Sequence, residues 1–157
     1  MDEFIDYFNK RKEGAWNLYS AQKTIYNPYF KSQVILNSDG FHHLQFSARR
    51  ERNKKEQLLK FSLLPLAFWV IKNSGTLQEH RKTMGPFGKV SKRDGSVLMK
   101  EIEYWGFIAI AGENKIKIRV VLRRVGDGNI IFWSVMPYSK LKRNTNQKLF
   151  SEGIDDE

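Results

Sequence analysis

The sequence predicts one α+β domain, with N-terminal helices packed on one face of an antiparallel sheet of about four strands. Three observations carry this. Apolar residues in the first half recur at helical spacing. From Thr76 the period shifts toward alternation, punctuated by glycine-containing turns. The chain has 157 residues, 41% of them hydrophobic, enough for one core without covalent staples.

Residues 2–24 read as a helical arm, with Phe4, Ile5 and Phe8 on one face, Trp16 and Tyr19 further on, and Gly14 as a point where it could divide. Asn27-Pro28 marks a loop, and Val34-Ile35-Leu36 a short strand. Ser38-Asp39-Gly40 reads as an N-cap opening a short helix through Phe41-His42-His43-Leu44. A basic connector follows, with Arg49, Arg50, Arg52, Lys54 and Lys55 against Glu51 and Glu56. Gln57–Ser74 is helical, with Pro65 kinking it or starting a second helix, and Gly75 as its C-cap. Thr76–Met84 and Val97–Ile102 read as weaker strands, separated by a turn or loop at Gly85–Gly88.

The clearest pattern is a meander of Tyr104–Ala111, Lys115–Arg124 and Ile130–Met136, turning at Gly112-Glu113-Asn114 and Gly126-Asp127-Gly128-Asn129. Turns centred on Glu113-Asn114 and Asp127-Gly128 set Arg123 opposite both Tyr104 and Phe132. They set Val121 opposite Ser134, and Arg119 opposite Ile108 and Met136. Alternation then gives a core face of Trp105, Phe107, Ala109, Ile118, Val120, Leu122, Ile131, Trp133 and Val135. The other face carries Lys117, Arg119, Arg123, Tyr104 and Ser134. Guanidinium groups beside hydroxyls suit a phosphodiester. The plain alternative is a solvated face whose cations serve solubility.

With 27 Lys and Arg against 17 Asp and Glu, the formal charge is +10, which favours polyanionic partners. Cysteine is absent, so disulfides and thiolate metal sites are excluded, which suits a cytoplasmic setting. The acidic Met1-Asp2-Glu3-Phe4 start does not read as a signal peptide, and the apolar stretch Phe61–Ile71 is too short to span a bilayer. A membrane partner is not expected. After Tyr138 the chain turns polar and closes on Ile154-Asp155-Asp156-Glu157. The expected division is an arm over 1–29, the main domain over 30–138 and a tail over 139–157.

Three histidines, His42, His43 and His80, are the natural proton carriers near neutral pH. The adjacent pair opens a short helix just before the basic connector, and helical spacing leaves open which of the two points outward. His80 sits in Gln78-Glu79-His80-Arg81-Lys82. No metal-ligand spacing, carboxylate cluster, G-x-S-x-G or phosphate-cradling glycine loop occurs, so no cofactor and no metal are expected. The chemistry left over is that of RNA itself. The 2′-hydroxyl is a built-in nucleophile, and an enzyme need only orient it, move a proton and stabilise charge on phosphorus.

Gly40-Phe41-His42-His43-Leu44, Phe61–Ala67, Tyr104–Ile110, Lys115–Val120 and Phe132–Pro137 occur in an order that resembles phage- and mobile-element-encoded nucleases of the barnase, EndoU, colicin and RelE-like superfamily. The resemblance covers about residues 30–138. It implies helices on a four-stranded antiparallel sheet, metal-independent RNA cleavage through a 2′,3′-cyclic phosphate, and a toxin or effector role, sometimes with an antitoxin or immunity partner. Carried over residue by residue, the helix histidine falls on His43 or His42, the basic strand position on Arg119 and the polar position of the last strand on Ser134. Arg49, Arg50, His80, Arg81, Lys117, Arg123 and Tyr104 would contact the nucleic acid. The competing expectations are a non-catalytic nucleic-acid binder on the same basic face, and a protein-interaction module using Phe4, Phe8, Trp16 and Tyr19 of the arm.

Overall fold

The computed structural model describes residues 2–138, so the expected tail over 139–157 lies outside the described residues. Three helices, α1 (Glu3–Gln22), α2 (Ser38–Gln45) and α3 (Lys54–Asn73), accompany six strands. These are β1 (Thr24–Asn27), β2 (Ser32–Ile35), β3 (Glu79–Phe87), β4 (Leu98–Ala111), β5 (Ile116–Val125) and β6 (Ile131–Pro137). The sheet order is β1-β2-β6-β5-β4-β3, and every neighbouring pair is antiparallel except β2 with β6. The protein is therefore α+β as expected, but its sheet is six-stranded and mixed rather than four-stranded and antiparallel.

The additional hairpin pairs β1, from residues expected to be arm and loop, with β2, which overlaps the short strand expected at Val34-Ile35-Leu36. β1 and β2 are four residues each, joined by a turn in which Lys31 takes φ 55° and donates its N–H to the Asn27 carbonyl. The hairpin is anchored from outside itself. Asn27 is fully buried, and its amide donates to the Ile71 carbonyl at 2.7 Å and the Ser74 carbonyl at 3.3 Å at the end of α3. Its Oδ1 accepts from Phe30 N–H. Replacing Asn27 by alanine strands these groups, and chemical denaturation is expected to show a loss of about 2–4 kcal/mol.

Helix boundaries follow capping chemistry. Asp2 caps α1, which runs through Gly14 without a break; Asn37, not Ser38, caps α2; Asn53 caps α3. α3 is one helix with Pro65 exposed inside it, and its C-cap is Ser74. Gly75 takes no left-handed φ, so the glycine cap expected there is absent.

α1 and α3 pack on one sheet face. Phe8 and Tyr19 of α1, Phe61, Leu64 and Ile71 of α3, and Phe107, Ile118, Val120 and Phe132 of the sheet belong to one buried cluster. α1 thus shares the domain core, while Phe4, Ile5 and Trp16 remain exposed. The second sheet face carries a smaller cluster of Ile102, Tyr104 and Val121, with Val125, Trp133 and Met136 packed against it. That face is therefore not the wholly wet, polar surface that alternation suggested.

The β4–β5 pairing is the expected one, with Tyr104 opposite Arg123 and Ile108 opposite Arg119. In β5–β6, Arg119 faces Met136 and Val121 faces Ser134 as expected. A bulge then intervenes, so that Arg123 faces Ile131 instead of Phe132. The extra residue is Trp133, and a one-residue insertion exchanges the faces of what lies beyond it. Phe132 enters the main core, and Trp133, expected there, joins the second face.

β3 and β4 extend beyond the rest of the sheet. The segment expected as a loop, Gly85–Gly88, continues β3 as far as Phe87, and Val97–Ile102 and Tyr104–Ala111 form the single 14-residue strand β4. No described helix is long and apolar enough to cross a membrane.

Candidate functional site

β2 pairs with β6 only at Ile131, so the remainder of that β6 edge presents backbone carbonyls that need donors. α2 lies against this edge. Gly40 permits the approach, because any Cβ there would overlap the Phe132 carbonyl oxygen and the Tyr19 hydroxyl. One turn later His43 Nδ1 sits 3.1 Å from the Trp133 carbonyl oxygen. A carbonyl only accepts, so Nδ1 carries the proton and Nε2 is the basic nitrogen of the neutral ring.

Two residues along β6, Lys60 of α3 donates from Nζ to the Val135 carbonyl at 2.9 Å and to Ser134 Oγ at 3.0 Å. Carbonyls of alternate residues in a strand point the same way, roughly 7 Å apart. A histidine, a lysine and a serine therefore line one strand edge. All three are buried, His43 at 6% and Lys60 at 3% exposure. Arg52 of the connector braces α2 from behind, donating Nε to the His43 carbonyl at 3.0 Å and pairing with Glu56 at 3.0 Å.

The bulge residue ties this edge to the second sheet face. The His43 ring stacks on Trp133 with centroids 4.1 Å apart and planes 20° apart. The Arg123 guanidinium lies 4.0 Å from the Trp133 ring centre and 5.7 Å from that of Tyr104. Arg81 pairs directly with Tyr104 across β3 and β4, so it shares that face. The result is a histidine, two aromatic rings and two arginines running from the β6 edge across the sheet.

Of the residues singled out from sequence, the structure thus groups His43, Ser134, Arg123, Tyr104 and Arg81. Arg119 is on the same face, further along β5, but its guanidinium is held by Glu79. NH2 donates to Oε2 at 3.0 Å, and Nε lies 2.8 Å from Oε1, off the hydrogen-bond line. The Tyr138 ring lies 4.7 Å from Arg119 and 5.2 Å from Lys117 Nζ. His42 is exposed and stacks on Phe46. Arg49 and Arg50 are exposed on the connector, where Arg50 donates to the Glu51 carbonyl.

His80 stands apart. It pairs with Trp105 and so shares the helix-side face, where its Nε2 lies 2.6 Å from Glu103 Oε2. Arg124 closes on the other Glu103 oxygen at 2.9 Å. Burial raises the Glu103 carboxyl, but the His80 and Arg124 hydrogen bonds and the charges of Lys82 and Arg124 outweigh it and hold it below the usual carboxylate range. A depressed folded pKa contributes stability above the unfolded value, lost as pH falls through the folded one. Melting temperature is therefore expected to drop between about pH 5 and pH 3 by more in wild type than in Glu103→Gln.

Lys60 was not among the residues singled out from sequence, yet a signal existed. It falls on the stripe Gln57, Lys60, Leu64, Ala67 and Ile71, spaced by three and four, all of them buried. A lysine on an otherwise core-facing stripe must reach an acceptor. Among the described residues no three His, Asp or Glu side chains group as a metal site. Comparison with family models, with characterised proteins and with solved structures finds no match to this chain.

Proposed function

We propose that the protein is a metal-independent endoribonuclease whose reacting phosphodiester lies against the β6 edge. The observation that supports this best is the convergence of His43, Lys60 and Ser134 on that edge beside the Arg123–Trp133 stack. In this reading His43 Nε2 takes the 2′-hydroxyl proton, its ring held by the Trp133 carbonyl through Nδ1–H. The 2′-oxygen attacks phosphorus, the 5′-oxygen leaves with a proton from water, and a 2′,3′-cyclic phosphate remains. The Lys60 ammonium and the Arg123 guanidinium offset the charge on the phosphorane, and the buried Ser134 hydroxyl accepts from Lys60 and positions it. Trp133 and Tyr104 hold the Arg123 guanidinium in place. Arg119, paired with Glu79, stiffens the sheet face, and Arg49, Arg50, Arg81 and Lys117 attract the backbone at longer range.

Incubation of total RNA with the full chain in EDTA tests this. Cleavage by wild type and not by His43→Asn, leaving cyclic-phosphate ends, is expected; intact RNA in both lanes contradicts it.

A second reading, non-catalytic RNA binding along the same edge and sheet face, is favoured by the burial of His43, whose ring already serves the strand edge. It predicts equal RNA affinity for wild type and His43→Asn and cleavage by neither.

A further inference from the structure

β5 last pairs with β4 at Ile102, whereas the β3–β4 ladder continues through Met84, Gly85, Pro86 and Phe87 opposite Glu101, Lys100, Met99 and Leu98. Residues 84–101 therefore form a two-stranded ribbon projecting past the sheet. Buried Gly85 marks its base, where a Cβ would overlap the Ile102 side chain.

The ribbon's composition is unlike a structural hairpin. Met84, Phe87, Val90, Leu98 and Met99 are each 45–61% exposed. The ribbon carries Lys89, Lys92, Arg93 and Lys100 against Asp94 and Glu101. The tip is ordered by its own hydrogen bonds. Gly95 N–H donates to the Ser91 carbonyl, Ser91 N–H to the Ser96 carbonyl, and Ser96 N–H to Asp94 Oδ1 at 3.0 Å. Arg93 N–H donates to Ser91 Oγ. The exposed Lys92 and Arg93 are thus held on a preformed turn. Ladder alternation puts Phe87, Leu98 and Lys100 on the face that also bears Arg81, Tyr104 and Arg123, and Lys100 Nζ sits 4.9 Å from the Phe87 ring.

We propose that this ribbon is an RNA-holding arm, gripping the phosphate backbone of the strand that runs on from the β6 edge. The inference rests on the reading of that edge as an RNA site, and extends it to a second, distant anchor. Charge selects a polyanion, and the exposed Phe87 ring on that same face gives a base a surface to lie on. Continuity of the face with Arg81, Tyr104 and Arg123 favours one extended strand of RNA over an acidic protein.

The test uses the full chain with His43→Asn in every sample, so that binding is read whether or not the protein cleaves. A fluorescent single-stranded RNA of about 20 nucleotides is titrated at several salt concentrations. Lys89→Gln/Lys92→Gln/Arg93→Gln is compared with Lys10→Gln/Lys31→Gln/Lys72→Gln, which removes three exposed charges elsewhere. The arm variant is expected to bind about tenfold more weakly than the control, with a salt slope smaller by about 2, the yield of three phosphate contacts on a single strand. Equal affinity and slope for the two variants overturn the proposal. So does unchanged RNA binding accompanied by loss of polyglutamate binding, which would assign the arm to an acidic protein. Absence of cleavage by wild type in the separate EDTA incubation, alongside the expected binding difference here, would remove the ribonuclease reading and leave the arm standing.

Discussion

Replacing His43 by asparagine is expected to lower RNA cleavage by about 10²–10⁴-fold, the range for a removed general base, with little loss of stability. The choice of asparagine follows from the geometry. Its side-chain amide can donate to the Trp133 carbonyl as Nδ1–H does now, so the β6 edge keeps its cap. What it lacks is a second, basic nitrogen. Either substitution loses the stacking on Trp133, but alanine would remove the cap as well, confounding chemistry with folding. The checks are single-turnover cleavage rates beside thermal melting. A cleavage rate unchanged in a folded His43→Asn protein removes His43 from the chemistry.

The second large effect is expected at Lys60. Lys60→Met keeps the length of the side chain within α3 but withdraws the donor from Ser134 Oγ and from the Val135 carbonyl. Denaturation is expected to show a loss of about 1–3 kcal/mol, the desolvation cost of groups buried without that donor. Cleavage is expected to fall by about 10²-fold or more in the rate constant with a small change in KM, because a cation facing the phosphorane acts mainly in the transition state. A variant destabilised elsewhere by at least as much, Asn27→Ala, separates the two effects: its folded fraction should cleave at the wild-type rate. Equal rates for Lys60→Met and Asn27→Ala would make Lys60 a strand-edge donor and nothing more.

Much of the fold was legible because the signals were local. The apolar residues of α1, the start of α2 at Ser38-Asp39-Gly40, read one residue past its Asn37 cap, and the two turns of the meander each announce themselves within a few residues. Of the β1–β2 hairpin only the Val34-Ile35 stretch did. Four-residue strands carry too little alternation to read, and what secures this hairpin is Asn27 reaching carbonyls 44 and 47 residues away. The mixed sheet follows from a single parallel pair, Ile35 with Ile131, which no sequence period encodes. The bulge at Trp133 was equally silent, and it decides the face on which that indole lies.

The candidate site divides along the same line. Ser134, Arg123 and Tyr104 were reachable from strand register, whereas helix phase left His42 and His43 undecided. Assigning the edge carbonyls to His43 and Lys60 required knowing that β2 covers only one position of β6. Arg119 illustrates the converse. Its place on the strand was readable, but its partner Glu79 comes from β3, 40 residues back, in a segment with only a weak strand signal. Glu79 occupies the guanidinium that sequence alone would have aimed at a phosphate.

The most direct measurement compares one RNA oligonucleotide with its counterpart carrying a single 2′-deoxy sugar at the cleaved position, both incubated with the full chain in EDTA. Cleavage at that position in the all-ribose strand, ending in a cyclic phosphate, and none at the deoxy position is the expected result. Cleavage of the deoxy position at a similar rate would contradict attack by the 2′-hydroxyl and with it the proposed role of the β6 edge.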